Sequence, residues 1–517
     1  MKIHRLTIKK FKNLTNFTMR FDDETLTTVL VGRNGTGKSN VLEALIIIFR
    51  DLDLGEPPTF SYELEYTCRG ATVIVRANTA SKKDNLKIRV NNKAISAKEF
   101  SRKGGGNYLP AHIFGYYSGP SNRMESHFEK HQEQFADDLL KGVDRPLRPL
   151  LYGRLVHSQF VLLSFFEKAA QGSAFLEKYL RIQDLESVLF VLKRPYWFNP
   201  HRRGPKGDPR FWGARGVVQE FLDRLFNSAL APLKSSHRQS KGSSFERLYL
   251  FVKDKKDLIR LAEMYSDRRE FFKALESMYI SDLIEDVRTR VKIKNVDESL
   301  TFRELSEGEQ QLLMVLGLMR FIREDEALLL LDEPDTHLNP AWSLEYLRLL
   351  KDVAGSNDTS QIIMATHDPL VIAGLTKSEV QVMRRTEEGK VFAEHPAEDP
   401  KGMGIAALLT SEVYGLRSEL DPETMELLDK KRALASKDDL SNIEREELTR
   451  LNQILGQLDF TKTVRDPMYQ LFVEAMSRVE REEGLQTPVL TKEQQERQKE
   501  LAVDIVRELK ATQEPNA

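Results

Sequence analysis

The chain has 517 residues, enough for about two to four domains, and its 40% hydrophobic and 30% charged residues mark a globular protein rather than a disordered or fibrous one. A formal net charge of −1 excludes a global basic field for nucleic acid, although a local patch stays open. The single cysteine, Cys68, excludes an intramolecular disulfide and fits a reducing compartment.

The N-terminal stretch MKIHRLTIKKFKNL alternates apolar and basic residues and has no signal-peptide apolar region. The longest apolar runs, at 45–49 and 327–331, are too short to span a bilayer, so a soluble, cytoplasmic protein without membrane contact is expected. LTTVLV (26–31) has the pattern of a strand, and NVLEALIIIF (40–49) that of a helix with apolar residues three and four apart. Between them VLVGRNGTGKS fits G-x-x-x-x-G-K-[ST] at Gly32, Gly37, Lys38 and Ser39. Gly35 and Gly37 let the backbone turn its amides around phosphate oxygens, and the helix N-terminus adds partial positive charge. Lys38 can reach β- and γ-phosphates, and the Ser39 hydroxyl can ligate Mg²⁺. Asn34 and Asn40 are further candidate contacts to the nucleotide. Farther on, Cys68 sits in the strand-like YELEYTCRG, a poor place for a nucleophile.

The middle of the chain mixes short apolar segments, SQFVLLSFFEKA (158–169) and LESVLFVLK (185–193), both expected as helices, with polar loops. RPYWFNPHRRGPKGDPRFWGARG (194–216) sets Arg202, Arg203, Lys206, Arg210 and Arg215 among Trp197, Phe211 and Trp212. Such a mixture suits nucleic-acid phosphates and bases, or else a loop whose aromatics anchor it to the core. KSSHRQSKGSS (234–244) is expected as a flexible basic loop.

LSEGEQQ (305–311) opens a leucine-rich helix, where Ser306 and the amide of Gly308 can donate to an anion, with Glu309 a further candidate of the site. ALLLLDE (327–333) describes a buried parallel strand running into two carboxylates. Asp332 would hold Mg²⁺, and Glu333 would polarise the attacking water as general base. QIIMATHD (361–368) is a further strand, with His367 at its end near the nucleotide. After residue 400 the chain is mostly charged and helical in pattern, its charges alternating in sign.

The order phosphate loop, LSEGEQQ, ALLLLDE, THD resembles the ABC ATPase superfamily. The resemblance implies an α/β fold: an ABC-type P-loop ATPase head assembled from both ends of the chain. Residues 1–100 would form the phosphate-loop lobe, 101–298 a mainly helical insert, 299–395 the lobe with signature, catalytic strand and His switch, and 396–517 a helical C-terminal extension. It also implies ATP and Mg²⁺ as cofactors, and a signature (Ser306, Gly308, Glu309) that serves the phosphate loop of a second copy in a head-to-tail homodimer. PDTHLNP (334–340) occupies the D-loop position with Asp335, His337 and Asn339. That stretch, and the Phe11-Lys12-Asn13 turn, are similar to RecF- and OLD-like members. A Q-loop glutamine is not obvious: YYSGPSNRME (116–125) stands where that loop belongs, with Gln132 or Gln134 as candidates.

IFGYYSGPSNRM (113–124), FWGARG (211–216), GIAALLTSEVYGLRSELDPET (404–424) and Arg465-Asp466-Pro467 resemble the ATPases of Septu-type antiphage systems. That family implies a separate HNH nuclease subunit and, in its retron-associated form, a reverse transcriptase with msDNA. An autonomous RecF-like DNA repair ATPase and a nucleotide-bound scaffold with negligible turnover are the alternatives. The chain itself displays no H-N-H arrangement and no acidic metal cluster.

Overall fold

A computed structural model describes residues 1–81, 85–101, 106–144, 149–166, 170–199, 207–238, 244–296, 299–322, 326–354, 359–386, 388–435, 437, 439–458, 472, 475–476, 479, 483 and 492–511. The chain divides into two compact units, Met1–Tyr414 and Gly415–Ala517. No helix among the described residues is long and apolar enough to cross a membrane.

The first unit is organised around a 7-stranded sheet. From one edge to the other its strands are Val391–Glu394, Val380–Arg385, Thr27–Val31, Gln361–Ala365, Ala327–Asp332, His112–Tyr117 and Leu150–Tyr152. All neighbouring pairs are parallel except the first, which is an antiparallel edge pair. The three inner strands Thr27–Val31, Gln361–Ala365 and Ala327–Asp332 are buried throughout, which is why their sequences are nearly continuous apolar runs rather than alternations. Successive side chains still alternate between faces. Leu329, Leu331 and Val29 join a core with the helices Leu155–Phe165 and Glu307–Ile322. Leu328, Leu330 and Leu30 join a second core with the helix Lys38–Leu54.

That helix is covered in turn by a 6-stranded antiparallel sheet ordered Leu14–Arg20, Lys2–Phe11, Tyr62–Cys68, Ala71–Ala77, Leu86–Val90, Lys93–Ile95. Tyr62–Cys68 shows strict alternation of buried and half-buried positions, the pattern of a sheet with one face packed and one wetted. Cys68 is buried there, and burial pushes its thiol up to about 12, so it stays protonated and unreactive.

The segment expected as a helical insert is mixed. It carries the helices Glu129–Lys141, Leu155–Phe165, Ala170–Leu180, Gly216–Ser228, Lys255–Ala262 and Arg268–Ile280. It also carries most of a 5-stranded sheet ordered Leu233–Arg238, Ser244–Val252, Ile182–Lys193, Ile284–Ile293, Leu300–Thr301. LESVLFVLK, expected as a helix, is the inner strand of that sheet. Val188, Phe190 and Leu192 are buried, and antiparallel partners flank the strand on both sides. An apolar run between two strands that lie far along the chain has no periodicity of its own to distinguish it from a helix. KSSHRQSKGSS, expected as a flexible loop, has its first residues in the strand Leu233–Arg238; 239–243 lie outside the described residues. The strands His112–Tyr117 and Leu150–Tyr152 belong to the central sheet, so residue 100 is no boundary between head and insert. His157 fixes the insert from within. Its Nδ1 accepts from the Arg154 amide at 2.9 Å, so Nε2 carries the proton and donates to Glu276 at 2.8 Å. Both side chains are fully buried.

The second unit is helical in its described residues, with Pro422–Ala435, Asn442–Gln457 and Lys492–Ala511. Ser441 and Glu444 form a reciprocal cap on the second of these. Arg465, Asp466 and Pro467 lie outside the described residues.

The helices Leu155–Phe165 and Glu307–Ile322 approach so closely that a Cβ on Gly317 would lie 2.1 Å from Val161 Cγ1. Gly317→Val should destabilise the first unit by about 1–3 kcal/mol through overpacking. Adding Val161→Ala should restore part of the loss. A calorimetric midpoint unmoved by Gly317→Val would contradict this contact.

Candidate nucleotide site

The phosphate loop joins the strand Thr27–Val31 to the helix Lys38–Leu54. Its glycines are fixed by what surrounds them. Gly37 is left-handed at φ 98°, and a Cβ there would come within 2.9 Å of Asn13 Oδ1. At Gly32 a Cβ would meet the Met383 carbonyl at 2.3 Å. Asn13, from the Phe-Lys-Asn turn, donates through Nδ2 to the Gly35 carbonyl at 2.9 Å and accepts from Asn40 Nδ2 at 2.7 Å. The N-terminal turn therefore buttresses the loop, and Asn40 holds that buttress. Asn34 is exposed at the loop tip. Lys12 of the same turn pairs with Glu43 Oε2 at 2.5 Å. Glu43 is buried, which would raise its pKa, but hydrogen bonds from His127 and Lys12 outweigh burial and lower it.

Lys38 Nζ donates to the Gly32 carbonyl at 2.7 Å, curling back over the loop. Burial lowers its pKa, opposed by the nearby Glu333 and Asp332 carboxylates. Ser39 Oγ donates to Asp332 Oδ1 at 3.0 Å. Asp332 is 1% exposed, and burial raises its pKa against the pull of Ser39 and Arg123. A buried carboxylate and a hydroxyl meeting at a helix N-terminus, beside a lysine and a glycine-built loop, fit a phosphate chain with Mg²⁺. Asp332 and Ser39 offer hard oxygen donors there, and Lys38 a cation beside them.

Glu333 follows in a left-handed conformation, φ 52°, which is uncommon for a residue with a side chain. Its amide donates to the Ala365 carbonyl at 2.8 Å, and the Thr336 hydroxyl donates to its carbonyl at 2.9 Å. The turn directs its carboxylate toward His367, whose Nδ1 lies 3.3 Å from Glu333 Oε1. The His367 carbonyl accepts from the Tyr414 hydroxyl at 3.1 Å.

The sequence reading missed the residue that holds the other oxygen of Asp332. Arg123 Nη2 donates to Asp332 Oδ2 at 2.6 Å, and its guanidinium lies 4.6 Å from the centre of the Tyr117 ring. It comes from YYSGPSNRME, the stretch at the Q-loop position. The available signal was that a lone arginine follows a strand, HIFGYY, which pairs with the carboxylate strand. The two glutamines proposed for that role lie elsewhere. Gln132 accepts from Arg154 Nη2 at 3.0 Å, and Gln134 is exposed on the helix Glu129–Lys141.

Ser306, Gly308 and Glu309 sit together at the start of the helix Glu307–Ile322. The Ser306 amide and hydroxyl both donate to Glu309 Oε2 at 2.8 Å, and the Glu309 amide returns a bond to Ser306 Oγ at 3.3 Å. This is a capping box on the helix Glu307–Ile322. A Cβ at Gly308 would lie 2.4 Å from the His337 carbonyl, so the helix start packs directly on the D-loop segment. Both border a cleft of about 580 Å³ that Arg181 and Trp342 also line. Of the other D-loop candidates, Asn339 caps the helix Pro340–Ala354 by accepting from the Trp342 amide at 3.0 Å. Asp335 is buried and accepts from the Thr366 hydroxyl at 2.5 Å. Asp335 is thus held within the chain, whereas Asn339 also lines the cleft.

Trp197, Phe211 and Trp212 of the candidate nucleic-acid segment pack inward, whereas Tyr196 is exposed. Phe211 and Trp212 are buried, Trp212 Nε1 donates to Glu246 at 2.9 Å, and Trp197 Nε1 donates to the Ser281 carbonyl at 2.7 Å. Arg210 pairs with Asp208 and Asp223. Arg202, Arg203 and Lys206 lie outside the described residues. These aromatics anchor the loop instead of offering faces for bases.

Residues 1–133 match the family described as "AAA ATPase domain". The chain carries an ATPase domain. Residues 201–373 match the family described as "AAA domain, putative AbiEii toxin, Type IV TA system". The Septu protein PtuA of Bacillus mycoides (strain KBAB4) is 28% identical over 215 residues, covering 40% of this chain and 29% of that protein. The similarity thus spans less than a third of the relative's length. The SMC head domain from Thermotoga maritima aligns with 76% of this chain and 99% of its own at 16% identity and a TM-score of 0.32. An Smc head domain from Pyrococcus furiosus, bound to the C-terminal domain of ScpA, aligns with 76% of this chain and 96% of its own at 12% identity and a TM-score of 0.33. The chain's own geometry is a parallel sheet with loop, carboxylates and histidine gathered at one end of it.

Asp335 gives the site a pH signature. Burial pushes its carboxyl up to about 6, against the Thr366 hydrogen bond, and Oδ1 has no hydrogen-bond partner. A carboxyl raised on folding binds more protons in the native state, so its contribution to stability falls as pH rises from about 4 to 6. The free-energy advantage of Asp335→Asn over the parent should therefore shrink by up to about 3 kcal/mol between pH 7 and pH 4. Denaturant titrations at both values measure it, and a constant difference would contradict the shift.

Proposed function

We propose that the chain is the ATP-binding and ATP-hydrolysing subunit of an antiphage defence complex and that it controls a partner HNH nuclease. The observation that carries the ATPase part is the Ser39–Asp332 bond, which unites residues 293 positions apart into one donor set beside Lys38. Mg²⁺, when bound, neutralises charge on the phosphates. Lys38 exchanges the Gly32 carbonyl for phosphate oxygens. Asp332 and Ser39 hold the metal. Glu333 takes the proton of the attacking water, and His367, in contact with Glu333, orients that carboxylate and can donate toward the terminal phosphate. Ser306, Gly308 and Glu309, gathered at an open cleft, complete the site of a second copy, so two chains close head to tail around two nucleotides.

The defence setting rests on the similarity to PtuA and on the Septu-like stretches along the chain. The nuclease, and in a retron-associated complex the reverse transcriptase and msDNA, belong to that proposal, as does a cytoplasmic location. A specific feature favours slow turnover in the resting protein: the Ser306 donors are already taken by Glu309. A nucleotide-held scaffold that hydrolyses only when triggered is therefore the second reading. Purification of the complex from its native operon, with the mass of each component measured, tests the partner assignment; recovery of the chain without a nuclease would remove it.

Glu333→Gln keeps the shape of the side chain and loses the base. It should bind ATP normally, hydrolyse it on the order of a hundredfold more slowly, and accumulate as a nucleotide-bound dimer in size-exclusion chromatography. Lys38→Ala should lose ATP binding while keeping its thermal midpoint. Parent-like turnover in the first variant, or parent-like affinity in the second, would reassign those roles.

The trans arrangement has its own test. Lys38→Ala and Ser306→Arg chains should each be inactive alone. In a mixed dimer one site joins an intact loop to an intact signature, and the other carries both lesions. Mixing should restore part of the hydrolysis, or at least one trapped nucleotide per dimer. Neither result, with mixed dimers demonstrated by mass, would place Ser306 in service of its own chain.

A further inference from the structure

We propose that Arg123 is an internal counter-ion that supplies Asp332 with the positive charge a metal would bring, and that arrival of the divalent cation releases the segment carrying it. The proposal rests on the phosphate-loop reading above. Asp332 is 1% exposed, and its two oxygens have one partner each: Ser39 Oγ on Oδ1 and Arg123 Nη2 on Oδ2. An ionised carboxylate at that depth needs a compensating charge. Lys38, the nearest alternative, gives its hydrogen bond to the Gly32 carbonyl instead. Arg123 therefore supplies the charge that the metal would otherwise bring. The metal would sit at Oδ1 beside Ser39, and a divalent cation there and a guanidinium on Oδ2 of the same carboxylate repel one another strongly, so arrival of one favours release of the other.

Arg123 is suited to being displaced. Its side chain is 37% exposed, and its guanidinium rests on the Tyr117 ring, so it loses one salt bridge on leaving and keeps an aromatic platform to move along. Beyond the bonds of Ser118 to the Asp332 carbonyl and Thr336, the segment that bears it is attached through alternate residues. Arg123 holds the carboxylate strand. Glu125 accepts from Arg154, at the entrance to the helix Leu155–Phe165, at 2.6 Å. His127 Nε2 lies 2.8 Å from Glu43 Oε1 on the phosphate-loop helix. Breaking the first attachment leaves the segment held by the insert on one side and by the loop helix on the other. Metal occupancy is thereby communicated to Arg154.

The test uses the full chain and a fluorescent, slowly hydrolysed ATP analogue at pH 8, with Mg²⁺ titrated at fixed nucleotide. Arg123→Ala removes the competitor, so half-maximal binding should need on the order of tenfold less Mg²⁺ than in the parent. Arg123→Lys retains a weaker, non-planar cation and should fall between the two. Independently of folding in the variants, amide exchange in the parent at 118–128 should rise with Mg²⁺ and analogue together and not with analogue and chelator. An unchanged or higher Mg²⁺ midpoint in Arg123→Ala overturns the proposal, as does exchange at 118–128 that ignores Mg²⁺. A parent chain that binds no nucleotide with or without Mg²⁺ would overturn the phosphate-loop reading as well. Binding with an unmoved Mg²⁺ midpoint overturns this proposal alone.

Discussion

The site is built around one hydrogen bond between distant parts of the chain, from Ser39 Oγ to Asp332 Oδ1. It forms only because the strand Gln361–Ala365 lies between Thr27–Val31 and Ala327–Asp332 and holds all three in parallel register. Any shift of that register would move the hydroxyl and the carboxylate out of reach. The two cores on opposite faces of the sheet fix the register, because a one-residue slip would send Leu328 and Leu330 to the wrong side. Precision at the site is thus inherited from packing well away from it.

The polar groups of the site are satisfied from within. Lys38 bonds a loop carbonyl, Asp332 an arginine, and the Ser306 donors a carboxylate from one turn along their own helix. Each internal partner has the charge or polarity of the ligand group it stands in for: carbonyl oxygen for phosphate oxygen, guanidinium for metal, carboxylate for phosphate. Unpaired, these groups would incur the desolvation cost of buried or half-buried charge. Paired, they keep their geometry without ligand, and they also oppose its entry. On the proposed reading, affinity and turnover depend on how readily three separate pairs exchange partners.

Much of the site was legible in the sequence because its parts are local. A strand, a glycine turn and a helix sit within twenty-odd residues of one another around Lys38, and a leucine run ends in two carboxylates at Asp332. What remained hidden was of longer range. Arg123 carries no local pattern; its role exists only because HIFGYY lies beside the carboxylate strand. The strand Ile182–Lys193 has partners more than 50 residues away, and its apolar run is equally compatible with a helix until those partners are known. The aromatics at Trp197, Phe211 and Trp212 suggested a binding face because composition cannot report direction, and they point into the core.

The order of strands in the central sheet bears on how the chain is made. Thr27–Val31 leaves the ribosome early, but its two sheet neighbours, Gln361–Ala365 and Val380–Arg385, follow more than 300 residues later. At about 5–20 residues per second, that strand waits tens of seconds or more for a partner. During this interval the antiparallel sheet formed by residues 2–95 and the helix Lys38–Leu54 can assemble against one another, because their contacts are nearly all local. The antiparallel sheet thus serves as a temporary cover for the nascent loop helix, and the other flank of the helix stays open to chaperones until synthesis passes residue 385.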